Sequence, residues 1–149
     1  MSRTTEFLMN IRSIIKLHES MLREICVEYQ LALIEATIIS FLHNNPGKDT
    51  AADIVELRML SKGNVSQAVE SLIQRSLLRR EQDAADRRRI HLFLTPAAEP
   101  IVQSMQCLWA RFEDEIFAGL SCDERAIFER VNDRISDNTR RAMARRTRK

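Results

Sequence analysis

The chain has 149 residues, 44% of them hydrophobic and 30% charged, with a net charge of only +2 and just three glycines and three prolines. That is too apolar for a disordered chain, is sized for one domain, and is poor enough in helix breakers to favour long helices. No stretch has the roughly 18 uncharged apolar residues a membrane span needs, and the opening MSRTTEFLMNIRS lacks the basic start and apolar block of a secretory leader.

Residues 4–28 form the first predicted helix, with Phe7, Ile11, Ile14, Ile15, His18, Leu22 and Ile25 on one stripe at three- and four-residue steps. A second helix, 32–44, places Leu33, Ala36, Thr37 and Phe41 inward and stops at Asn44-Asn45-Pro46-Gly47. Thr50 caps a short helix, 51–58, built on Ile54 and Leu57, and Ser61 caps another, 62–75. The apolar set of this fourth helix is Val65, Ala68, Val69, Leu72 and Ile73. Its other side carries Lys62, Asn64, Ser66, Gln67, Glu70, Ser71 and Gln74, which are polar but lightly charged. The period then changes to two. Residues 77–82 and 89–94 read as a hairpin, with Ile90, Leu92 and Leu94 sharing a face and DAADRR as a loop too long for a tight primed turn. Thr95 caps and Pro96 opens a fifth helix running to about 118, striped by Ile101, Met105, Leu108, Phe112 and Ile116 and widened by Val102, Trp109 and Phe117. Ser121-Cys122-Asp123-Glu124 fits a capping box opening a sixth helix, with Ile127, Phe128, Val131 and Ile135 inside, that frays into an arginine-rich tail.

Charge is distributed unevenly. Residues 140–149 hold six basic groups and no acid, so the remainder of the chain sums to −4. Within that remainder, residues 61–95 carry seven basic and four acidic groups. The focus is Arg87-Arg88-Arg89, three like charges that gain nothing from adjacency unless an anion meets them. A short helix, a turn, a helix with a polar outer side and then a hairpin make a winged helix-turn-helix. A helix of that kind fits the major groove of double-stranded DNA, and an arginine on the wing suits the negative potential of a narrow minor groove. On this reading the DNA-binding residues are Thr50, Ser61, Lys62, Asn64, Ser66, Gln67, Ser71, Asp86, Arg87, Arg88 and Arg89. Arg88 enters the minor groove, held by Asp86 through a charge-assisted hydrogen bond; the alternative is that Asp83 and Asp86 only cap loop amides. Thr50 either binds a phosphate or only caps its helix.

The run LSKGNVSQAVESLIQRSLLRREQDAADRRRIHLFLT, residues 60–95, resembles the MarR family of bacterial transcription regulators. The family wing carries an acid, one residue, an arginine and then a strand ending in Leu-Thr; here these are Asp86-Arg87-Arg88 and Ile90 to Leu94-Thr95. Two glycines usual in the family are replaced, one by Ser76 and one by Ala98 or Glu99. The resemblance implies one MarR-like domain over 1–149, mainly α with a small β-hairpin wing: a winged-helix module at 32–95 and a helical dimerisation region at 4–28 and 97–145. It further implies a cytoplasmic homodimer on a pseudo-palindromic operator, usually a repressor relieved by a small effector or by oxidation. The apolar surplus of the three outer helices independently suits two copies joining.

Other chemistry is weakly signalled. Cys26, Cys107 and Cys122 are odd in number and far apart, as suits reduced cytoplasmic thiols rather than disulfides or a redox switch. His18, His43 and His91 show no ligand spacing, so no metal or cofactor is expected. Trp109, Phe112, Met105 and His18 either line a cavity for a lipophilic or aromatic effector or simply pack the core. No phosphate loop, nucleophile elbow or catalytic acid pair is present, so no enzyme is expected. Two alternatives remain: a winged-helix protein-interaction module without DNA binding, and a cysteine-based redox-sensing regulator.

Overall fold

In the computed structural model, which describes residues 1–148, the elements follow the order α1 (Arg3–Tyr29), α2 (Leu33–Asn44), α3 (Ala51–Arg58), α4 (Lys62–Gln74), β1 (Leu78–Gln82), β2 (Ile90–Leu94), a 3-10 turn (Pro96–Ala98), α5 (Glu99–Ile116) and α6 (Cys122–Thr147). The fold class is the expected one, mainly helical with one antiparallel hairpin. The cap residues explain where the helices begin. The hydroxyls of Thr50, Ser61 and Ser121 each accept from the amide three residues on, and the carboxylates of Asp53 and Glu124 complete capping boxes at α3 and α6.

Two compact units divide the chain, Met1–Phe112 and a second beginning at Glu113. The core of the first is one cluster. The C-terminal half of α1 (Met21, Leu22, Ile25, Cys26), α2 (Ala36, Ile38, Ile39, Phe41), Ile54, the α4 set Val65, Ala68, Val69 and Leu72, the hairpin's Leu78 and Leu92, and Ile101, Val102, Met105 and Leu108 of α5 are all buried. The sequence expectations missed Ile38 and Ile39, both fully buried. They fall outside a single stripe because α2 is packed on several sides, by α1, α4 and β2.

Several expected core positions lie at the surface. Phe7, Ile11 and Ile15 of α1 are exposed, because no other segment of this unit packs on the first half of that helix. Leu57, at the end of α3, is also exposed. So is Ile90, which shares a face of the hairpin with Leu92 but lies at the loop end of the ladder, opposite Gln82. In the second unit Ile127, Phe128, Val131 and Ile135 are exposed, and none of the α6 residues described is buried. The arginine-rich end does not fray at once; the helix continues to Thr147. Thr95 does not cap the fifth helix. Its hydroxyl donates instead to the Ser76 carbonyl at 2.6 Å, and a 3-10 turn precedes α5.

Candidate nucleic-acid interface

The outer side of α4 is polar because the buried residues at 65, 68, 69 and 72 leave the rest of the helix to solvent. Lys62, Asn64, Ser66 and Gln67 are exposed, with Glu70 and Gln74. Ser61 is exposed as well, but its hydroxyl accepts from the Asn64 amide at 3.2 Å and so belongs to the helix cap. Ser71 does not share the outer side. Its hydroxyl donates to Glu35 at 2.9 Å and is thereby turned towards α2. The other Glu35 oxygen accepts from the Ala32 amide at 2.8 Å, so this buried carboxylate joins the start of α2 to the middle of α4. Sequence periodicity gave no signal for Glu35, because a buried acid is recognised only by its partners. Glu70, the one acid on α4, is met by the Arg80 guanidinium through two hydrogen bonds of 2.6 and 3.1 Å. The hairpin thus neutralises the only negative charge on the helix.

The wing loop is organised by its acids. Asp83 accepts from the amides of Ala85 and Asp86 at 3.0 and 2.8 Å, and Asp86 accepts from the Arg88 amide at 3.0 Å. The expected bond from Asp86 to the Arg88 guanidinium is replaced by one to the Arg88 backbone, since a two-residue reach suits an amide better than a long side chain. The loop closes through Asp83 N–H to the Arg89 carbonyl (2.9 Å), Arg89 N–H to the Asp86 carbonyl (3.0 Å) and the Gln82 amide to the Arg87 carbonyl (2.8 Å). Arg87, Arg88 and Arg89 are exposed, and among the described residues none pairs with a carboxylate. Thr50, Asp86, Arg88 and Arg89 line a common cleft with Ala51, Ala52, Asp53 and Ile90. Thr50 itself is buried, and its hydroxyl and amide both engage Asp53. It therefore shapes the cleft as a cap, and the amides of Ala51 and Ala52 are the first-turn donors that a helix leaves without internal partners.

Behind the loop lies a contact that sequence spacing did not suggest. His91 of β2 hydrogen-bonds Asp49 through Nδ1 at 2.6 Å and Asp83 through Nε2 at 2.7 Å. These bonds raise the His91 pKa above its usual value, while the bonds from His91 and the two loop amides hold Asp83 down to about 2. A second histidine behaves oppositely. His18 accepts from Trp109 Nε1 at 2.9 Å and packs edge-on to Phe112, and burial pushes its pKa down. Met105 is fully buried, and Trp109 and Phe112 pack against the core cluster. Of the cysteines, Cys26 is buried, which raises its pKa, and Cys107 and Cys122 are exposed. Among the described residues no His, Cys, Asp and Glu group is arranged to hold a metal.

Residues 29–89 match the model of the MarR family. The transcriptional regulator HosA of Escherichia coli O157:H7 is 28% identical over 91 residues, covering 61% of this chain and 67% of HosA. Among solved structures, Bordetella bronchiseptica BpsR, whose DNA binding is regulated by 6-hydroxynicotinic acid, superposes with a TM-score of 0.66 at 22% identity over 88% of this chain and 98% of its own. The S. aureus MepR–DNA complex gives a TM-score of 0.68 at 16% identity, covering 93% and 98%. These structural likenesses establish the winged-helix fold shared with both.

Proposed function

We propose that this chain, whose residues 29–89 match the MarR family, is a sequence-specific DNA-binding regulator of transcription, acting as a homodimeric repressor on a pseudo-palindromic operator. The observation that carries this reading is the state of the wing. Three adjacent guanidinium groups stand exposed without a protein carboxylate, while the acids beside them are used on backbone amides. Such a loop is preorganised and keeps its cations for an external polyanion. The side of α4 with Lys62, Asn64, Ser66 and Gln67 offers short hydrogen-bonding groups suited to base edges, and Ser61 and Thr50 serve by fixing the helix starts.

The homodimer is supported by the apolar residues that the single chain leaves in water, Phe7, Leu8, Ile11 and Ile15 on α1 and Ile127, Phe128, Val131 and Ile135 on α6. Two copies of such faces would bury each other and would present two recognition helices to half-sites about one helical turn apart. Regulation by a small aromatic effector is supported by the BpsR likeness. An effector acts here by binding the DNA-competent and incompetent dimers with different affinity.

Selection of bound fragments from random DNA, followed by a salt titration, tests the reading. A palindromic consensus is expected, together with binding that weakens steeply with salt, the slope of log K against log salt falling by about 0.9 for each phosphate engaged. Binding that ignores sequence and salt, or no binding, would point instead to a protein-interaction module.

A further inference from the structure

Resting on the DNA-binding reading, the geometry points to His91 as a positioning residue for the wing: as an imidazolium bridging Asp49 and Asp83 it braces the arginine loop against the α2–α3 connection, and duplex affinity depends on its proton. Both ring nitrogens face carboxylate oxygens, at 2.6 and 2.7 Å. A carboxylate only accepts, so both bonds exist together only when both nitrogens carry hydrogen. The neutral ring must give up one of them and leave an acid facing a bare nitrogen.

The two acids sit at different ends of the structure to be joined. Asp83 is the residue whose other oxygen gathers the amides of Ala85 and Asp86, which begin the loop ending in Arg87, Arg88 and Arg89. Asp49 lies in the connection just before the Thr50 cap of α3, and its carbonyl also accepts from the Leu92 amide at 2.8 Å. His91 therefore ties the wing loop to the start of α3, the two sides of the cleft that Arg88 and Arg89 line. The ring is only 22% exposed, and its partners 20% and 26%, so solvent does not readily replace the bonds. The brace also places a positive charge between two acids that would otherwise repel DNA phosphate.

The other charged groups around the ring leave this arrangement intact. Glu81 lies opposite His91 in the ladder but is paired with Arg79 at 2.9 Å. Among the described residues Asp49 and Asp83 are the only carboxylates in ion-pair range of the ring; the packed elements also carry Lys48, Asp53, Glu56 and the three loop arginines.

The test is fluorescence anisotropy with a 30-bp duplex chosen by selection from random DNA, measured from pH 6 to 9 at fixed ionic strength, beside an NMR titration of the His91 ring in the free protein. Wild-type affinity is expected to hold at low pH and to fall about tenfold, the order of one charge-assisted hydrogen bond, as pH rises through the His91 titration. His91→Gln is expected to bind at the weakened level at every pH. Asp49→Asn, which keeps an acceptor but removes one charge, is expected to move the fall to lower pH, so the inference does not depend on one variant folding. Wild type and His91→Gln sharing one affinity and one pH profile would overturn the brace while leaving DNA binding standing. Absence of duplex binding at every pH would overturn both.

Discussion

At the scale of single residues, two of the three partly buried histidines, His18 and His91, are shifted in opposite directions by their surroundings. His18 accepts from an indole N–H through a ring lone pair, and burial lowers its pKa. His91 faces two acids, whose hydrogen bonds raise its pKa. The consequences for stability have opposite signs. Because the His18 pKa is lowered, the unfolded chain takes up that proton first, and stability from this site is lost as pH falls below about 6.5. Because the His91 pKa is raised, its contribution is complete below that same value and is lost as pH rises through the folded pKa. Asp83, held at about 2, contributes at neutral pH and gives this up only in strong acid. Thermal melting of His18→Gln and His91→Gln between pH 5 and 9 checks the signs: the first should flatten the acid side of the wild-type profile and the second the alkaline side. Arg88 is the residue through which the DNA reading is most directly tested. Arg88→Ala should weaken binding to the selected duplex by about 1–3 kcal/mol, measured by anisotropy, and leave the melting temperature unchanged because its side chain is exposed and unpaired.

At the scale of elements, the end of α4 shows how a sequence departure costs energy. Ser76 stands where the family usually has glycine, and its φ is 61°, in the left-handed region. Its amide donates to Ile73 and the Leu77 amide to Leu72, both at 2.9 Å, which is the Schellman arrangement with Ser76 in the glycine position. The left-handed conformation costs a residue with a side chain about 1–2 kcal/mol, while glycine gives back about 0.5–1 kcal/mol in unfolded-chain entropy. Ser76→Gly should therefore stabilise the protein by about 0.5 kcal/mol in urea denaturation, provided the Thr95 hydroxyl keeps its bond to the residue 76 carbonyl. The second departure costs nothing of this kind, since Glu99 has an ordinary helical φ of −56°. Replacing a cap has the opposite effect: Ser121→Ala removes the acceptor for the Glu124 amide and should cost about 1 kcal/mol, read from the same denaturation curves. The Glu70–Arg80 pair is half exposed on both sides and contributes little to stability. Its effect is electrostatic, removing the one charge on α4 that opposes DNA.

At the scale of the whole molecule, the exposed apolar faces are the ground for the proposed homodimer. Phe7, Ile11 and Ile15 on α1 and Ile127, Phe128 and Val131 on α6 stand at roughly 40–50% exposure in the single chain. Sedimentation should give a particle of twice 17.3 kDa. Ile15→Asp or Val131→Asp should shift it towards the monomer, because a desolvated carboxylate is far costlier than the apolar contact it replaces. DNA affinity should fall with the loss of the dimer, since one half-site then binds without its partner.

The features readable from the chain alone are local. The helix starts at Thr50, Ser61 and Ser121, the buried stripe of α4 and the change to a hairpin were legible because a cap, a three-to-four period and a two-residue alternation each act within a few residues of themselves. The likeness to a winged helix was legible for the same reason, as its motif lies in one continuous run. Which stripes are covered depends on the folded chain, because the first half of α1 and the length of α6 carry the same kind of apolar pattern as the core and yet stand exposed. Only the tertiary structure placed Ser71 on Glu35 and His91 between Asp49 and Asp83, contacts spanning 36 and 42 residues that leave no periodic trace. A polar side chain's partner is fixed by where the folded backbone brings it, and no spacing in the chain records that distance.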